Sequence, residues 1–172
     1  RKKWNEAYKT SSALIKIKDI PAECIFTHID VCLASGKNSE AWDIISSLYE
    51  KNPKNEAVLQ NYIKVLVATD RRSEASQLIE QNLSGASSKM KSFFYYERSF
   101  LQKNENAVMV DLRSSLTANP RNKDALFRLY QIYFNKKEYR KAQYYLKQVV
   151  AISPADESLL LLNAELETLL SK

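Results

Sequence analysis

Few residues in this chain could do chemistry. His28 is the single histidine, Cys24 and Cys32 are the two cysteines, and no CxxC or HExxH spacing occurs. Catalysis by acid–base, nucleophilic or metal chemistry needs such groups brought together. The expectation is therefore a non-enzyme with no catalytic site, no metal and no cofactor. His28 falls on an apolar stripe with Ile25, Ile29 and Cys32, the setting of a satisfied core histidine. Cys24 and Cys32 are eight residues apart on one expected helix, about 12 Å along its axis. That is too far for a mutual disulfide, so both read as small core residues. Two glycines in 172 residues exclude a glycine-rich phosphate loop. The run Phe93-Phe94-Tyr95-Tyr96 offers no base-stacking platform, because four consecutive helical residues point in four directions.

What positions these residues is legible in a spacing. Ala7, Ala41 and Ala75 follow one another at 34 residues, and Ala142 comes 67 after Ala75, two such strides less one. Each alanine follows a short polar turn. Pro53, Pro120 and Pro154 trail at matching offsets. A fixed stride of this length signifies stacked supersecondary units, since one unit cannot bury its apolar face until a neighbour covers it. Only two glycines and four prolines, against 45% apolar residues, favour helices joined by short turns.

Within each unit the apolar residues fall at helical intervals. Ile45, Ile79 and Leu146 lie four residues beyond their alanines, and Leu48 and Val149 three further on, the stripe of a half-buried second helix. The first helices carry Ile25, His28, Ile29 and Cys32; Leu59, Tyr62, Ile63 and Leu66; and Leu126, Leu129, Tyr130 and Tyr133. The third unit is degenerate. It offers Tyr95, Tyr96 and Ser99, then Val108 in place of the alanine, with Leu112 and Ser115 before Pro120, and fits with one residue deleted near Ser87 to Lys89.

These positions resemble the tetratricopeptide repeat family, whose pattern runs Trp-x2-Leu-Gly-x2-Tyr, then Ala-x3-Phe-x2-Ala and a closing Pro. Residues 123–156 match it best, through Leu126, Leu129, Tyr130, Tyr133, Ala142, Leu146, Val149 and Pro154. The first-helix glycine is replaced by Ile29, Ile63, Tyr96 and Tyr130, and Ser87 stands where a closing proline is expected. The resemblance implies an all-α, right-handed α-solenoid of antiparallel helix hairpins spanning 1–172 as a single domain. A leading second helix at 3–17 would precede hairpins at 22–55, 56–88, 89–122 and 123–156 and a closing helix at 157–171. The chain opens inside what reads as a half-repeat, as a piece of a longer protein would.

In this family the first helices line a concave face where ligands lie. One helical step off the packing stripe come Phe26, Asp30 and Leu33; Gln60, Lys64 and Val67; Phe93, Glu97 and Phe100; and Phe127, Gln131 and Phe134. Apolar side chains flanking a polar one form an anchor track for an apolar or amphipathic segment. The implied function is a non-enzymatic protein-interaction scaffold that binds a peptide or protein in the groove. The carboxylate clamp of chaperone-type members is rejected. Phe26 and Asp30 occupy its opening positions, only Asn61 fits, and Asp30 and Glu97 would repel a carboxylate.

The closing helix, with Leu159, Leu160, Leu161, Leu162, Leu166, Leu169 and Leu170, is too apolar for a simple cap. The alternative function is therefore structural. The array would associate with a second copy through Leu159, Leu162, Leu166 and Leu169, or continue into a longer solenoid. The net charge of +6 does not point to nucleic acid. The basic residues Arg1 to Lys3, Lys37, Arg71, Arg72, Lys103, Lys136 and Lys137 share their turns with Glu40, Asp70, Glu74, Glu105 and Glu138, as helix dipoles favour. Only Arg1 to Lys3 and Lys136 to Lys141 keep a positive excess. No run approaches the ~18 apolar residues of a membrane span, so no membrane insertion is expected in this segment. The compartment stays open between cytoplasm and a bacterial periplasm or envelope.

Overall fold

A computed structural model describes residues 2–171, and of Lys2 only the backbone. Arg1, at the head of the first basic cluster, and Lys172 lie outside the described residues. Among those described are ten α-helices and no strand: α1 (Lys2–Leu14), α2 (Ala22–Ala34), α3 (Asn38–Lys51), α4 (Glu56–Ala68), α5 (Arg72–Leu83), α6 (Ser88–Leu101), α7 (Glu105–Ala118), α8 (Lys123–Asn135), α9 (Tyr139–Ile152) and α10 (Glu157–Leu170). The chain forms two compact units, Arg1–Gln81 and Asn82–Lys172. In the first, α1 packs on α2, α2 on α3, α3 on α4, and α2 also on α4. In the second, α6 packs on α7, α7 on α8, α8 on α9 and α9 on α10.

The repeat is written into the backbone of the turns. Gly36, Asp70 and Lys137 all adopt left-handed φ, at 75°, 59° and 59°. After each, the next amide reaches back to the carbonyl five residues earlier: Lys37 to Cys32 at 2.7 Å, Arg71 to Leu66 at 2.8 Å and Glu138 to Tyr133 at 2.9 Å. This 6→1 bond with a left-handed residue is the Schellman ending of a helix. The three left-handed residues keep the 34- and 67-residue strides of the alanines. One turn geometry thus joins α2 to α3, α4 to α5 and α8 to α9.

Five of the other six connections end in capping side chains, and the one into α2 ends at Pro21 without one. Asn55, Ser87, Asn104, Asn122 and Asp156 each accept a hydrogen bond from the amide three residues on, opening α4, α6, α7, α8 and α10. Each such cap is worth about 1 kcal/mol. Ser87, which occupies the place of a closing proline, is therefore the start of α6.

The striped positions form the core. Ile29, Cys32, Ala41, Ile45, Val58 and Val65 cluster in the first unit. Leu112, Ala125, Leu126, Leu129, Tyr130, Tyr133, Ala142, Leu146 and Val149 cluster in the second with Leu159 and Leu166. Ala41, Ala75 and Ala142 are fully buried, consistent with small residues that let helices approach closely. Ala7, at the head of the stride, is only half-buried.

The degenerate unit differs from expectation. On α6 the buried residues are Met90, Ser92, Phe94, Glu97 and Ser99, and Tyr95 and Tyr96 are half-buried. Phe94 supplies the bulk that the stripe assigned to Tyr95 and Tyr96. Polar pairs join α6 to α7: Ser115 Oγ donates to the Ser92 carbonyl at 2.7 Å and lies 3.0 Å from Ser92 Oγ. Asn122 Nδ2 donates to both hydroxyls, at 2.9 and 3.1 Å. Buried hydroxyls satisfied in this way replace apolar packing without leaving orphan donors.

Candidate functional site

The three groove residues expected on α8, Phe127, Gln131 and Phe134, are brought together in the second unit. Phe127, Tyr130, Gln131, Phe134 and Asn135 line a cavity of about 400 Å³ whose far wall is Leu162 of α10. The rings run in sequence along the helix, Phe127 to Tyr130 at 5.4 Å and Tyr130 to Phe134 at 5.7 Å, with Tyr139 5.6 Å beyond Phe134. Tyr130 is core, Phe127 and Phe134 are half-buried, and Gln131 is exposed. An apolar wall edged by two exposed amides, Gln131 and Asn135, has the make-up of a ligand-facing surface.

On α6, Phe100 is exposed and Phe93 half-buried, but Glu97 is only 7% exposed. Arg128 of α8 lies over the Phe100 ring at 3.5 Å and donates to Ser99 Oγ at 2.5 Å. Burial lowers its pKa from the ordinary guanidinium value, against the nearby Tyr96 and Glu97, which raise it. The Tyr96 ring meets Phe100 edge-on at 5.2 Å. The polar centre of this set is thus taken into the protein, and the aromatic flanks stay outside.

In the first unit, Asp30 is exposed, and Phe26, Leu33, Gln60 and Lys64 are half-buried. Lys64 Nζ meets Asp30 Oδ1 at 2.5 Å, so the two expected polar guides of neighbouring first helices pair with each other. Their exposure, 34% and 52%, keeps that pair in the weak surface class. Asn61 donates to the Ala57 carbonyl of its own helix at 2.8 Å.

The leucines of α10 divide between two faces. Leu159 and Leu166 are buried in the core and Leu162 packs against it, so of the four expected to bind a second copy only Leu169 is exposed. Leu160 and Leu161 are exposed at 46% and 66%. Four cations at or beside the turns meet carboxylates there: Arg72 meets Asp70 at 2.7 Å, Arg71 meets Glu74 at 3.6 Å, Lys141 meets Glu138 at 2.5 Å, and Lys136 pairs with Glu105. Arg71 also covers the Trp42 ring at 3.6 Å. No described helix is long and apolar enough to cross a membrane.

His28 proves to be the hub of a polar cluster that spacing did not disclose. It is fully buried, as its stripe position requires, and both ring nitrogens have partners. Nδ1 lies 2.8 Å from Ser11 Oγ and Nε2 lies 3.1 Å from Glu40 Oε1. The carboxylate assigns a proton to Nε2, and Nδ1 then accepts from the Ser11 hydroxyl. Tyr8 donates to Glu40 Oε2 at 2.5 Å, and Cys32 Sγ lies 3.4 Å from Nε2. Tyr8's hydrogen bond holds the Glu40 carboxyl below its usual range, burial opposes this, and the bond from His28 adds to the lowering. Burial, then the Glu40 charge, pushes the Cys32 thiol up to about 11. Cys24, read from sequence as core, is only half-buried.

Ser11, His28 and Glu40 follow one another as hydroxyl, imidazole and carboxylate do in a hydrolytic triad. The Ser11 hydroxyl, however, is buried and also within reach of the Tyr8 carbonyl at 3.2 Å, and the wall of the neighbouring cavity does not include it. A substrate carbonyl has no approach to it by that route. His28 and Cys32 share a helix face at i and i+4, the one sequence signal for the cluster; Glu40 reaches them only through the turn at Gly36.

No protein-family model matches the chain. No curated protein matches it either. Five solved chains do. One of them, described as "MamA RS-1 ArsTM double mutant", superposes with a TM-score of 0.50 at 12% identity, covering 90% of this chain and 88% of that one. At that identity the likeness is one of fold. Among the described residues the chain is all-α, with helices packed in adjacent pairs within each unit, and it shares that fold with this neighbour.

Proposed function

We propose that the protein is a non-enzymatic interaction scaffold that holds an apolar or amphipathic segment of another protein on its first helices. The observation that carries this is the cavity of the second unit, where Phe127, Gln131 and Phe134 share a wall with Leu162. Half-buried rings beside the exposed amides of Gln131 and Asn135 hold a ligand by burial of its side chains and fix its register by hydrogen bonds. Phe93 and Phe100 extend the aromatic surface on α6, and Phe26, Leu33, Gln60 and Lys64 are the equivalent residues of the first unit. The test is a peptide selected from a random library on the intact chain. Phe127→Ala and Phe134→Ala should each weaken it by more than about 1 kcal/mol with helicity unchanged. Gln131→Lys, at an exposed position that cannot harm the core, should weaken it as well. A peptide insensitive to all three would refute the reading.

A second reading is self-assembly through α10, favoured by the exposed Leu160, Leu161 and Leu169. Light scattering at two concentrations separates it: a dimer that dissociates on Leu161→Lys supports assembly, and a monomer at both concentrations excludes it.

A further inference from the structure

We infer that His28, Cys32 and Glu40 form a binding site for one divalent transition-metal ion of the zinc class. The site lies in the first unit and is independent of the scaffold reading. His28 and Cys32 project from one face of α2, and the left-handed turn at Gly36 carries the first turn of α3 back over them, so that Glu40 completes the set. The sulfur, a ring nitrogen and a carboxylate oxygen all lie within 4.8 Å of one another.

Two of the three spacings, those from the imidazole nitrogen, match ligands around a small tetrahedral ion. Zinc bonds of about 2.0 Å to nitrogen and oxygen and about 2.3 Å to sulfur set the nitrogen about 3.5 Å from the sulfur and about 3.3 Å from the oxygen. The observed separations are 3.4 Å for Nε2 to Sγ and 3.1 Å for Nε2 to Oε1. Thiolate with imidazole selects a borderline-soft ion over magnesium or calcium, which prefer oxygen ligands throughout. The charges also close: thiolate and carboxylate together neutralise a dication, as a site this deep requires.

The outer partners that metal ligands need are in place. Ser11 fixes the far ring nitrogen of His28, and Tyr8 holds the second oxygen of Glu40. When an ion takes Nε2, the imidazole stays neutral by carrying its proton on Nδ1, which donates to Ser11 Oγ. The Ser11 hydroxyl then turns to the Tyr8 carbonyl at 3.2 Å. One proton leaves to solvent, from the Cys32 thiol. The route in is the Glu40 side, because His28 and Cys32 are fully buried and the Glu40 side chain is 36% exposed. It opens on a cavity of about 560 Å³ bounded also by Gly36, Lys37 and Ser39, room enough for a water as fourth ligand.

The test is a cobalt(II) titration of the whole chain under reducing conditions, followed by zinc(II). The expected result is saturation at one equivalent, with a thiolate-to-cobalt charge-transfer band and the intense visible bands of four-coordinate cobalt, all bleached by zinc. Cys24→Ser should keep the charge-transfer band and Cys32→Ser should lose it. Glu40→Gln, at a part-exposed position that spares the core, should weaken zinc binding at least about tenfold and reduce the rise in Tm that zinc gives the native chain. Absence of the charge-transfer band in the folded native chain, or its loss in Cys24→Ser, overturns the proposal. So does a zinc affinity unaltered in Glu40→Gln, which would leave the cluster as a hydrogen-bond network alone.

Discussion

Arg98 grips Asp111 across the α6–α7 hairpin, Nη2 to Oδ1 at 2.7 Å and Nε to the two carboxylate oxygens at 3.1 and 3.2 Å. Asp111 is 1% exposed, and Gln102 donates to its second oxygen at 2.6 Å. A buried carboxylate stripped of its cation is costly, so Arg98→Ala should destabilise the protein by about 3 kcal/mol. Asp111→Ala should cost a comparable amount, and the double variant distinctly less than the sum. Urea unfolding of the cycle measures the coupling.

The left-handed turns give a second expectation. Gly36 has φ 75° and nothing within 4 Å of where a Cβ would sit. Gly36→Ala should therefore cost about 1 kcal/mol through backbone strain alone. Lys137, in the same conformation at φ 59°, should gain about 0.5 kcal/mol as glycine, since its left-handed strain exceeds the entropy glycine adds to the unfolded chain. Thermal denaturation of the two variants reads opposite signs.

Ala142 is fully buried among Leu126, Leu129 and Leu146 of the α8–α9 core. Ala142→Leu inserts methylenes where there is no room, and should destabilise by about 1–3 kcal/mol. The same change at half-buried Ala7 should cost less, a contrast that denaturant midpoints would register.

Burial raises the phenol of Tyr96 well above its ordinary value of 10.0, and burial raises Tyr130 and Tyr145 in the same direction. A phenol is neutral when protonated, so above pH 10 the unfolded chain loses protons that the native chain keeps. Their stabilising contribution is complete below that pH and declines as pH rises through it. Tyr96→Phe should flatten the alkaline loss of stability between pH 10 and 11, as pH-dependent urea midpoints would show.

Local physics explains how much of this was legible. Helical stripes and the alanine stride located the helices and most of the core, because hairpin packing repeats with the sequence: Ile45, Leu66 and Leu146 are buried where their stripes put them. On α6 the stripe holds at Ser99 but departs at Phe94, which is buried where Tyr95 and Tyr96 were expected, because buried Ser92 and Ser99 leave few apolar residues to mark the packing face. The link from His28 to Glu40 and that from Arg98 to Asp111 join different helices, so no periodicity within one helix reveals them. Pairing of Lys64 with Asp30 was likewise invisible: both stood out as polar centres, but only packing of α2 on α4 brings them into contact.

The most direct test of the scaffold account is a methyl and amide NMR map of the intact chain, titrated with a peptide selected on it. The account predicts shifts concentrated at Phe127, Gln131, Phe134 and the Leu162 methyls. Shifts confined to Leu160, Leu161 and Leu169, or scattered away from α8, would contradict it.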